Sequence, residues 1–483
     1  MTEAATARRT NWRWAICSLL FFATTINYLD RQVLSLTWKD FIAPEFHWTD
    51  ADYGEITGFF SLFYAIVSLL AGKFIDWAGA RRGYIWAIFV WSLAACLHAA
   101  CGWATMRIEG IGSLEALYAL KQGSAAALAV ASVSVWLFLG CRALLALGES
   151  GNFPAAIKVT AMYFPKKDRA FATALFNSGA SVGALVAPLS IPPLAHWLGW
   201  EMAFVIIGAL GFVWMGFWFR MYEAPERSRH VNAAELAYIR QDEKGETEQQ
   251  IEAEEHVTIP FWRCFTFRQT WAFITGKALT DGVWWFFLFW TPAYFSDQYG
   301  YASYTPMGQA LIFTLYFIVT VVSIFGGYLP KIFVDRMGMN PYAGRMRAML
   351  IFAFLPILAL FAQPLGVYSA WWPAIIIGLA CAGHQAWSAN LYSTIGDMFP
   401  TSTVASIVGI GTMAGGIGSY AINKGSGVFF DYAAARGEAF TVLGFHGKPA
   451  GYMTIFCICA VSYLLAWCIM KLLVPRYKKI EIA

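Results

Sequence analysis

Charge is scarce in this chain. Asp, Glu, Lys and Arg make up 13% of its 483 residues, about half their share in an ordinary soluble domain. Hydrophobic residues make up 58% and mean hydropathy is positive, which is more apolar surface than one water-soluble core can hide. The sequence also lacks a phosphate-binding glycine loop, a metal-ligand cluster and a nucleophile motif, so nothing in it points to an enzyme. Nine cysteines stand singly; their odd number and scattered spacing argue against a disulfide framework and against a metal site, and small buried residues are the reading that remains. The net charge of +4 is mild and gives no reason to expect nucleic acid as a partner. No cofactor is implied. Residues Met1 to Asn11 are polar and basic, and the apolar run after them holds Asn27, Asp30 and Arg31 instead of a small-residue cleavage site, so it reads as a retained first helix and not as a signal peptide.

What is present is a series of long, nearly charge-free runs. Twelve can be placed, near 13–36, 52–73, 83–103, 131–163, 168–193, 200–220, 270–295, 305–328, 347–364, 370–394, 403–427 and 450–474, each about the 20 to 25 residues that a tilted helix needs to cross hydrocarbon. Residues 104–130 look like an insertion, and the apolar signal from Ala125 to Phe164 is too long for one crossing. With the N-terminus in the cytoplasm, the inside loops collect Lys73, Arg81, Arg82, Lys166, Lys167, Arg169, Lys331, Arg336, Arg345, Arg347, Arg476, Lys478 and Lys479, against Lys39, Arg107, Lys121, Arg436 and Lys448 outside. That asymmetry places both termini inside. The expected fold is therefore an all-α membrane protein of twelve transmembrane helices in two six-helix bundles, 13–220 and 270–475, joined by a cytoplasmic linker, 221–269, whose Glu-rich part (Asp242 to Glu255) has the composition of a solvated segment. Carriers built from repeats place their site at the interface of the halves, near the bilayer midplane. Lipid is then the solvent, a bacterial inner membrane the expected location, and a monomer the expected unit.

A weak internal repeat agrees. Gly72-Lys73-Phe74-Ile75-Asp76-Trp77-Ala78-Gly79-Ala80-Arg81-Arg82 follows the second run, and Gly327 to Gly338, with Asp335 and Arg336, follows the eighth. The first copy resembles the loop signature of the major facilitator superfamily. That resemblance implies a cytoplasmic latch made by Asp76 and Arg81, with Asp335 and Arg336 as its counterpart; a plain topogenic charge cluster is the alternative.

Ionisable groups inside the runs carry the functional argument. Asp30 and Arg31 lie on the first helix, Arg142 and Glu149 on the fourth. Each costs roughly 2.5 to 3.5 kcal/mol at mid-membrane on insertion scales, on the order of 10 kcal/mol for the four if unpaired. Arg142 and Glu149, seven apart, share a helical face, whereas Asp30 and Arg31 point about 100° apart. Two structural ion pairs are one reading. The other is an anion-binding arginine beside carboxylates that load and release a proton, since an anion docking on the arginine alters the proton affinity of the acid next to it. Lys277 and Asp281, four apart, read as a local ion pair that lowers the insertion cost. Trp284, Trp285 and Trp290 suit sugar rings or a membrane interface equally. His384, Gln385, Trp387, Ser388 and Asn390 make the tenth helix polar, for helix–helix hydrogen bonding or as a hydroxyl-reading cavity wall. Glycine-rich stretches at 179–183 and 409–418 permit close helix approach.

Taken together, Asn27-Tyr28-Leu29-Asp30-Arg31, Cys141-Arg142 leading to Gly148-Glu149-Ser150-Gly151-Asn152-Phe153-Pro154-Ala155-Ala156, Phe164-Pro165-Lys166-Lys167-Asp168-Arg169 and Phe176-Asn177-Ser178-Gly179 resemble the anion:cation symporter family of that superfamily. Asp281-Gly282-Val283-Trp284-Trp285-Phe286 and Gly383-His384-Gln385-Ala386-Trp387-Ser388-Ala389-Asn390 look most like its hexuronate transporter branch. The likeness runs from about residue 12 to 475. It implies proton-coupled uptake of a small organic anion such as glucuronate or galacturonate, the proton being the coupling ion. By position, Arg31 would hold the carboxylate, Asp30 and Glu149 would be protonation sites, Arg142 would partner a carboxylate, and Tyr28 and Tyr64 would line the cavity. Trp284, His384, Gln385, Trp387 and Asn390 complete the expected substrate site. Some related carriers have Gln where Ala180 stands here, so that contact does not transfer, and the insertion at 104–130 is a second departure. Carriers of an aldonate, tartrate or another sugar acid, and a transporter-like sensor, are the alternatives; a multidrug exporter would have a greasier cavity with fewer fixed charges.

Overall fold

The computed structural model describes residues 9–241, 260–399, 401–478 and 480; the Glu-rich stretch from Asp242 to Glu255 lies outside them. In hydrocarbon every backbone amide must find its partner within the chain, and a helix does this locally. Twelve long helical segments result: α1 (Trp12–Thr37), α2 (Asp50–Ile75), α3 (Trp77–His98), α4 (Ala125–Tyr163), α5 (Lys166–Leu198), α6 (Trp200–Met221), α7 (Arg268–Tyr299), α8 (Pro306–Met337), α9 (Pro341–Gly366), α10 (Trp371–Met398), α11 (Thr401–Arg436) and α12 (Gly447–Leu473). Helical pairing is continuous from Asp50 to His98, and the reversal between α2 and α3 falls on Gly79, whose φ of 75° is open to glycine. A small hairpin, β1 (Thr441–Val442) with β2 (Phe445–His446), joins α11 to α12.

Seven of these segments are long and apolar enough by themselves to cross a membrane, and eight if α3 is taken with Cys101–Glu109, bent 50° from it. The four that fall short are α1, α7, α10 and α11. These carry Asp30, Arg31, Lys277, Asp281, His384 and Asn423, all at least half-buried in protein, where a polar side chain does not face lipid.

The fourth crossing differs from the expected 131–163. It begins at Ala125 and runs as Ala125–Glu149 and Asn152–Tyr163 with a turn at Ser150–Gly151 between them, started by Ser124 Oγ accepting from Ala127 N. The long apolar signal is thus one crossing that extends beyond the hydrocarbon, about 58 Å at 1.5 Å per residue. The insertion forms the helices Cys101–Glu109 and Leu114–Tyr118. It docks on the α1–α2 connection, where Tyr118 OH donates to Glu45 Oε2 at 3.4 Å, Trp200 Nε1 donates to the same oxygen at 2.8 Å, and His47 Nε2 lies 3.2 Å from Leu117 O.

α1 packs on α5, and α7 on α11; between the halves α2 runs along α11, and α5 meets α8. Glycines make the close approaches possible. A Cβ on Gly179 would stand 2.4 Å from Phe21 O, and one on Gly418 only 1.9 Å from Ala278 O. At the end where the chain begins, the helix Ala233–Ile239 is clamped to α1: buried Glu235 accepts from Trp12 N, Arg13 N and Arg13 Nη1 at 3.0, 3.2 and 3.0 Å. That carboxylate satisfies free amides at the positive end of α1.

Candidate substrate and coupling site

α1, α2 and α4 bring four of the expected residues together with one from α7. Arg31 donates through Nη2 and Nε to Glu149 Oε2 at 2.6 and 3.0 Å, and the two side chains are 4% and 0% exposed. Around the guanidinium stand the rings of Tyr64 at 4.8 Å, Trp285 at 5.0 Å, Tyr28 at 5.3 Å and Phe60 at 5.8 Å. Tyr28, Tyr64 and Trp285 are half-buried. Rings placed around a guanidinium in this way attract the cation through their faces. Glu149 ends the first segment of α4, so its carboxylate projects where the helix is interrupted.

Arg142 does not share that pair. Its guanidinium lies 5.3 Å from the Phe60 ring in a small cleft with Tyr53 and Phe289. Nε and Nη1 of Arg142, both oxygens of Asp30, Oε1 of Glu149 and the side-chain amide of Asn27 are buried without a hydrogen-bond partner among the described residues. A buried group left without a partner commonly costs about 1 to 3 kcal/mol, more if charged, and such a concentration beside one ion pair is unusual in a folded protein.

The expected residues of the tenth helix go elsewhere. His384 Nδ1 lies 2.7 Å from Tyr463 OH, which is 3.2 Å from Thr280 O, and Trp284 stacks on the imidazole at 5.3 Å. Trp387 is fully buried against Tyr463, and Asn390 donates to Ala386 O at 2.8 Å. Trp284, His384 and Trp387 thus meet at Tyr463 among α7, α10 and α12, Asn390 bonds along α10, and Gln385 is half-buried. Trp285, not Trp284, meets Arg31. Neighbours on a helix point about 100° apart, so the sequence names the pair but not the member. Arg81 donates to Phe219 O at 3.2 Å, and Asp335 and Arg336 are exposed at the end of α8; none of the three takes part in an ion pair among the described residues. The side chain of Asp76 lies outside those residues.

A second charged constellation was not foreseen. At the end away from the chain termini, Lys39 meets Asp297 at 2.9 Å and Asp50 at 3.4 Å, and Lys448 meets the same two carboxylates at 2.6 and 2.5 Å. Lys39 and Asp50 belong to the first half of the chain, Asp297 and Lys448 to the second. Beside them, Asp431 of α11 accepts from the first amides of α2, Asp50 N at 3.1 Å and Ala51 N at 2.8 Å, and Asp40 accepts from Ser303 N and Ser296 Oγ, both at 2.7 Å. Under this belt Trp38 stacks on Tyr53 at 3.9 Å, and Tyr53 OH donates to Phe289 O at 2.8 Å. Burial works against the charge on Lys39, yet Asp297 and Asp50 more than offset it and raise its pKa. Lys39, Asp50, Asp297 and Lys448 come from four separate places in the chain, and the sequence offered only Lys39 and Lys448, as two of the loop cations expected outside.

Twelve spanning helices in two packed halves, a buried arginine–carboxylate pair at their seam and an ionic closure at one end define a membrane carrier. The sequence profile of the Major Facilitator Superfamily matches residues 20–421, and the chain belongs to that family. The chain is similar to the hexuronate transporter of Escherichia coli (strain K12), 25% identical over 478 residues that cover 98% of this chain and 96% of that one. It is also similar to the galacturonate transporter of Dickeya chrysanthemi, 26% identical over 361 residues, 73% and 92% of the two chains. These relatives bear out the likeness to the hexuronate branch. Among solved structures, the D-xylose-proton symporter superposes with a TM-score of 0.65 at 14% identity, over 95% of this chain and 98% of that one; this shows the fold. The protein is a multi-pass inner-membrane protein and not an enzyme.

Proposed function

We propose that this protein is a proton-coupled symporter that imports hexuronates such as glucuronate or galacturonate by alternating access. One observation carries the reading: Arg31, the cation suited to a planar carboxylate, is held by Glu149 inside a cage of tyrosine and tryptophan. A substrate carboxylate competes with Glu149 for Arg31. Displaced from its counter-charge in a dry site, Glu149 takes up a proton, and the two events become linked. Asp30, close to Glu149 and Arg142 and without a hydrogen-bond partner among the described residues, is the second proton acceptor. The aromatic walls suit the apolar faces of a sugar ring.

With both termini cytoplasmic, the orientation that the loop charges favour, the Lys39–Asp50–Asp297–Lys448 cluster becomes the outer gate of a carrier closed to the outside. The latch expected of Asp76, Arg81, Asp335 and Arg336 belongs to the opposite state, in which the cytoplasmic ends close. Names of relatives support the substrate class, since two of them are a hexuronate and a galacturonate transporter.

Purified protein in liposomes is expected to accumulate labelled glucuronate or galacturonate under an inward proton gradient, and Arg31→Ala to abolish accumulation. Uptake indifferent to collapse of the gradient would remove the proton from the mechanism. A thermal-shift screen across hexuronates, aldonates and tartrate ranks the substrates; a larger shift with an aldonate would displace the hexuronate.

A further inference from the structure

Two buried charges of the second half have no part in the cycle just described. Lys277 and Asp281 lie one turn apart on α7, their side chains 6% and 13% exposed, with Nζ and Oδ2 2.6 Å apart. Lys277 also donates to the hydroxyl of Tyr392 on α10 at 2.9 Å. As packing this is a poor choice, because apolar residues of the same volume commonly serve a buried site as well or better.

Its place on the helix is informative. Residues 277, 281 and 285 recur at i, i+4 and i+8 and so share one face. Trp285 on that face packs against the Arg31 guanidinium at 5.0 Å, which puts the pair roughly 6 to 12 Å along the helix axis from the arginine's surroundings. Asp281 Oδ1 is buried without a hydrogen-bond partner among the described residues, and α11 makes room for the carboxylate with Gly415, where a Cβ would stand 2.3 Å from Oδ2.

Building on the sugar-acid reading above, we propose that Asp281 is a specificity-determining residue: by neutralising Lys277 it fits the far end of the site to the uncharged, hydroxyl-bearing end of a sugar monocarboxylate and rejects the second carboxylate of a sugar diacid. Arg31 takes the one carboxylate that both kinds of substrate share. A second carboxylate arriving at Asp281 meets a like charge and finds the Lys277 ammonium already engaged. A hydroxyl meets a polar pair of no net charge, with Oδ1 free to accept. Asp281→Asn keeps the size and an acceptor but leaves Lys277 as a buried cation without a counter-charge, and the second carboxylate of a diacid then becomes its partner.

The test compares labelled glucuronate with its diacid, glucarate, in proteoliposomes of the wild-type protein, Asp281→Asn, Lys277→Gln and the double variant. The wild type is expected to favour glucuronate in kcat/KM. Asp281→Asn shifts the ratio toward glucarate by roughly 10- to 100-fold, about 1.4 to 2.8 kcal/mol at 1.4 kcal/mol per tenfold. Lys277→Gln shifts it the other way, and the double variant removes the gain. Equal handling of the two acids by the wild type, or an unchanged ratio in both folded single variants, overturns the proposal. Ligand-induced thermal shifts with the same two acids give the ratio without transport. Absence of uptake by the wild type therefore overturns the symport reading, while the ratio of shifts still decides on Asp281.

Discussion

At the scale of single residues, the proposed mechanism gives Glu149 two opposed roles. It is the counter-charge of buried Arg31, and in that mechanism it is also the competitor that a substrate anion must displace. Removing one partner of a buried ion pair commonly costs about 3 to 5 kcal/mol; Gln in its place keeps an acceptor and falls near the lower end. Glu149→Gln is therefore expected to be less stable when empty, to bind hexuronate about tenfold tighter or more, equivalent to 1.4 kcal/mol, and to lose proton-driven accumulation while retaining substrate exchange. Calorimetric titration and counterflow in liposomes read the two halves of that outcome, and weaker binding by the variant would mean that Glu149 helps to hold the anion. The sequence allowed this pair to be anticipated because charge inside an apolar run is expensive and demands a partner. Which carboxylate pairs with which arginine was not legible: Arg142 and Glu149 share a face by spacing, yet Glu149 turns to Arg31 of α1, a choice made by the rotation and depth of two helices relative to each other.

At the scale of elements, all twelve helices were legible as apolar runs, including α1, α7, α10 and α11, whose apolar signal falls short of a span on its own because they bear Asp30, Arg31, Lys277, Asp281, His384 and Asn423. α4, which starts earlier than expected, carries Arg142 and Glu149 and still has a long apolar signal. The insertion was legible only as an interruption. Its anchor, Glu45, is an ordinary acid of the short helix Ala43–Phe46 that the fold makes special: it is 3% exposed, and burial pushes its carboxyl up to about 7, against the opposing hydrogen bond from Trp200 and with the help of Glu201. A carboxyl whose pKa is higher in the folded protein binds more protons there than when unfolded. Its contribution to stability is therefore present below the ordinary carboxylate range and is lost as pH rises through 7, by up to about 3 kcal/mol at 1.36 kcal/mol per pH unit. Glu45→Gln is expected to flatten the pH dependence of the melting temperature between pH 5 and 8 and to be the more stable protein at pH 8. Parallel melting curves for the two proteins across that interval would show that the insertion is held by other contacts.

At the scale of the whole molecule, the two halves meet through contacts of different character. α2 and α11 share a close seam, with Gly54, Gly416 and Gly427 admitting the opposite backbone and Ser419 Oγ donating to Ser61 Oγ at 2.9 Å. Such a seam permits rocking. The gate proposed for the outer side is instead a set of ion pairs that holds one arrangement, and separating the halves breaks the two that cross between them, Lys39–Asp297 and Lys448–Asp50, leaving each lysine only the aspartate of its own half. Carrying a two-state equilibrium from 1:99 to 99:1 takes about 5.5 kcal/mol, and losing one partner of a partly desolvated charge pair across an interface commonly costs about 2 to 5 kcal/mol. Asp297, 12% exposed, is bonded to both lysines at 2.9 and 2.6 Å, and its neutralisation removes Lys39–Asp297, one of the two ion pairs that cross between the halves, so that opening then costs one such pair instead of two. Asp297→Asn is accordingly expected to convert a carrier closed on the outside into a mixture with a substantial outward-open fraction. Spin labels at the exposed residues Glu115 and Glu438, in a cysteine-free background, report on the outer ends of the first and second halves. The distance distribution should gain a longer component in the variant, and high salt should enlarge that component in the wild type, since partly exposed pairs are screened. A distribution unchanged by both would leave the closure to the stacked aromatics beneath, Trp38 on Tyr53 and the Tyr53 hydrogen bond to Phe289, with the charges as a consequence of closure and not its cause.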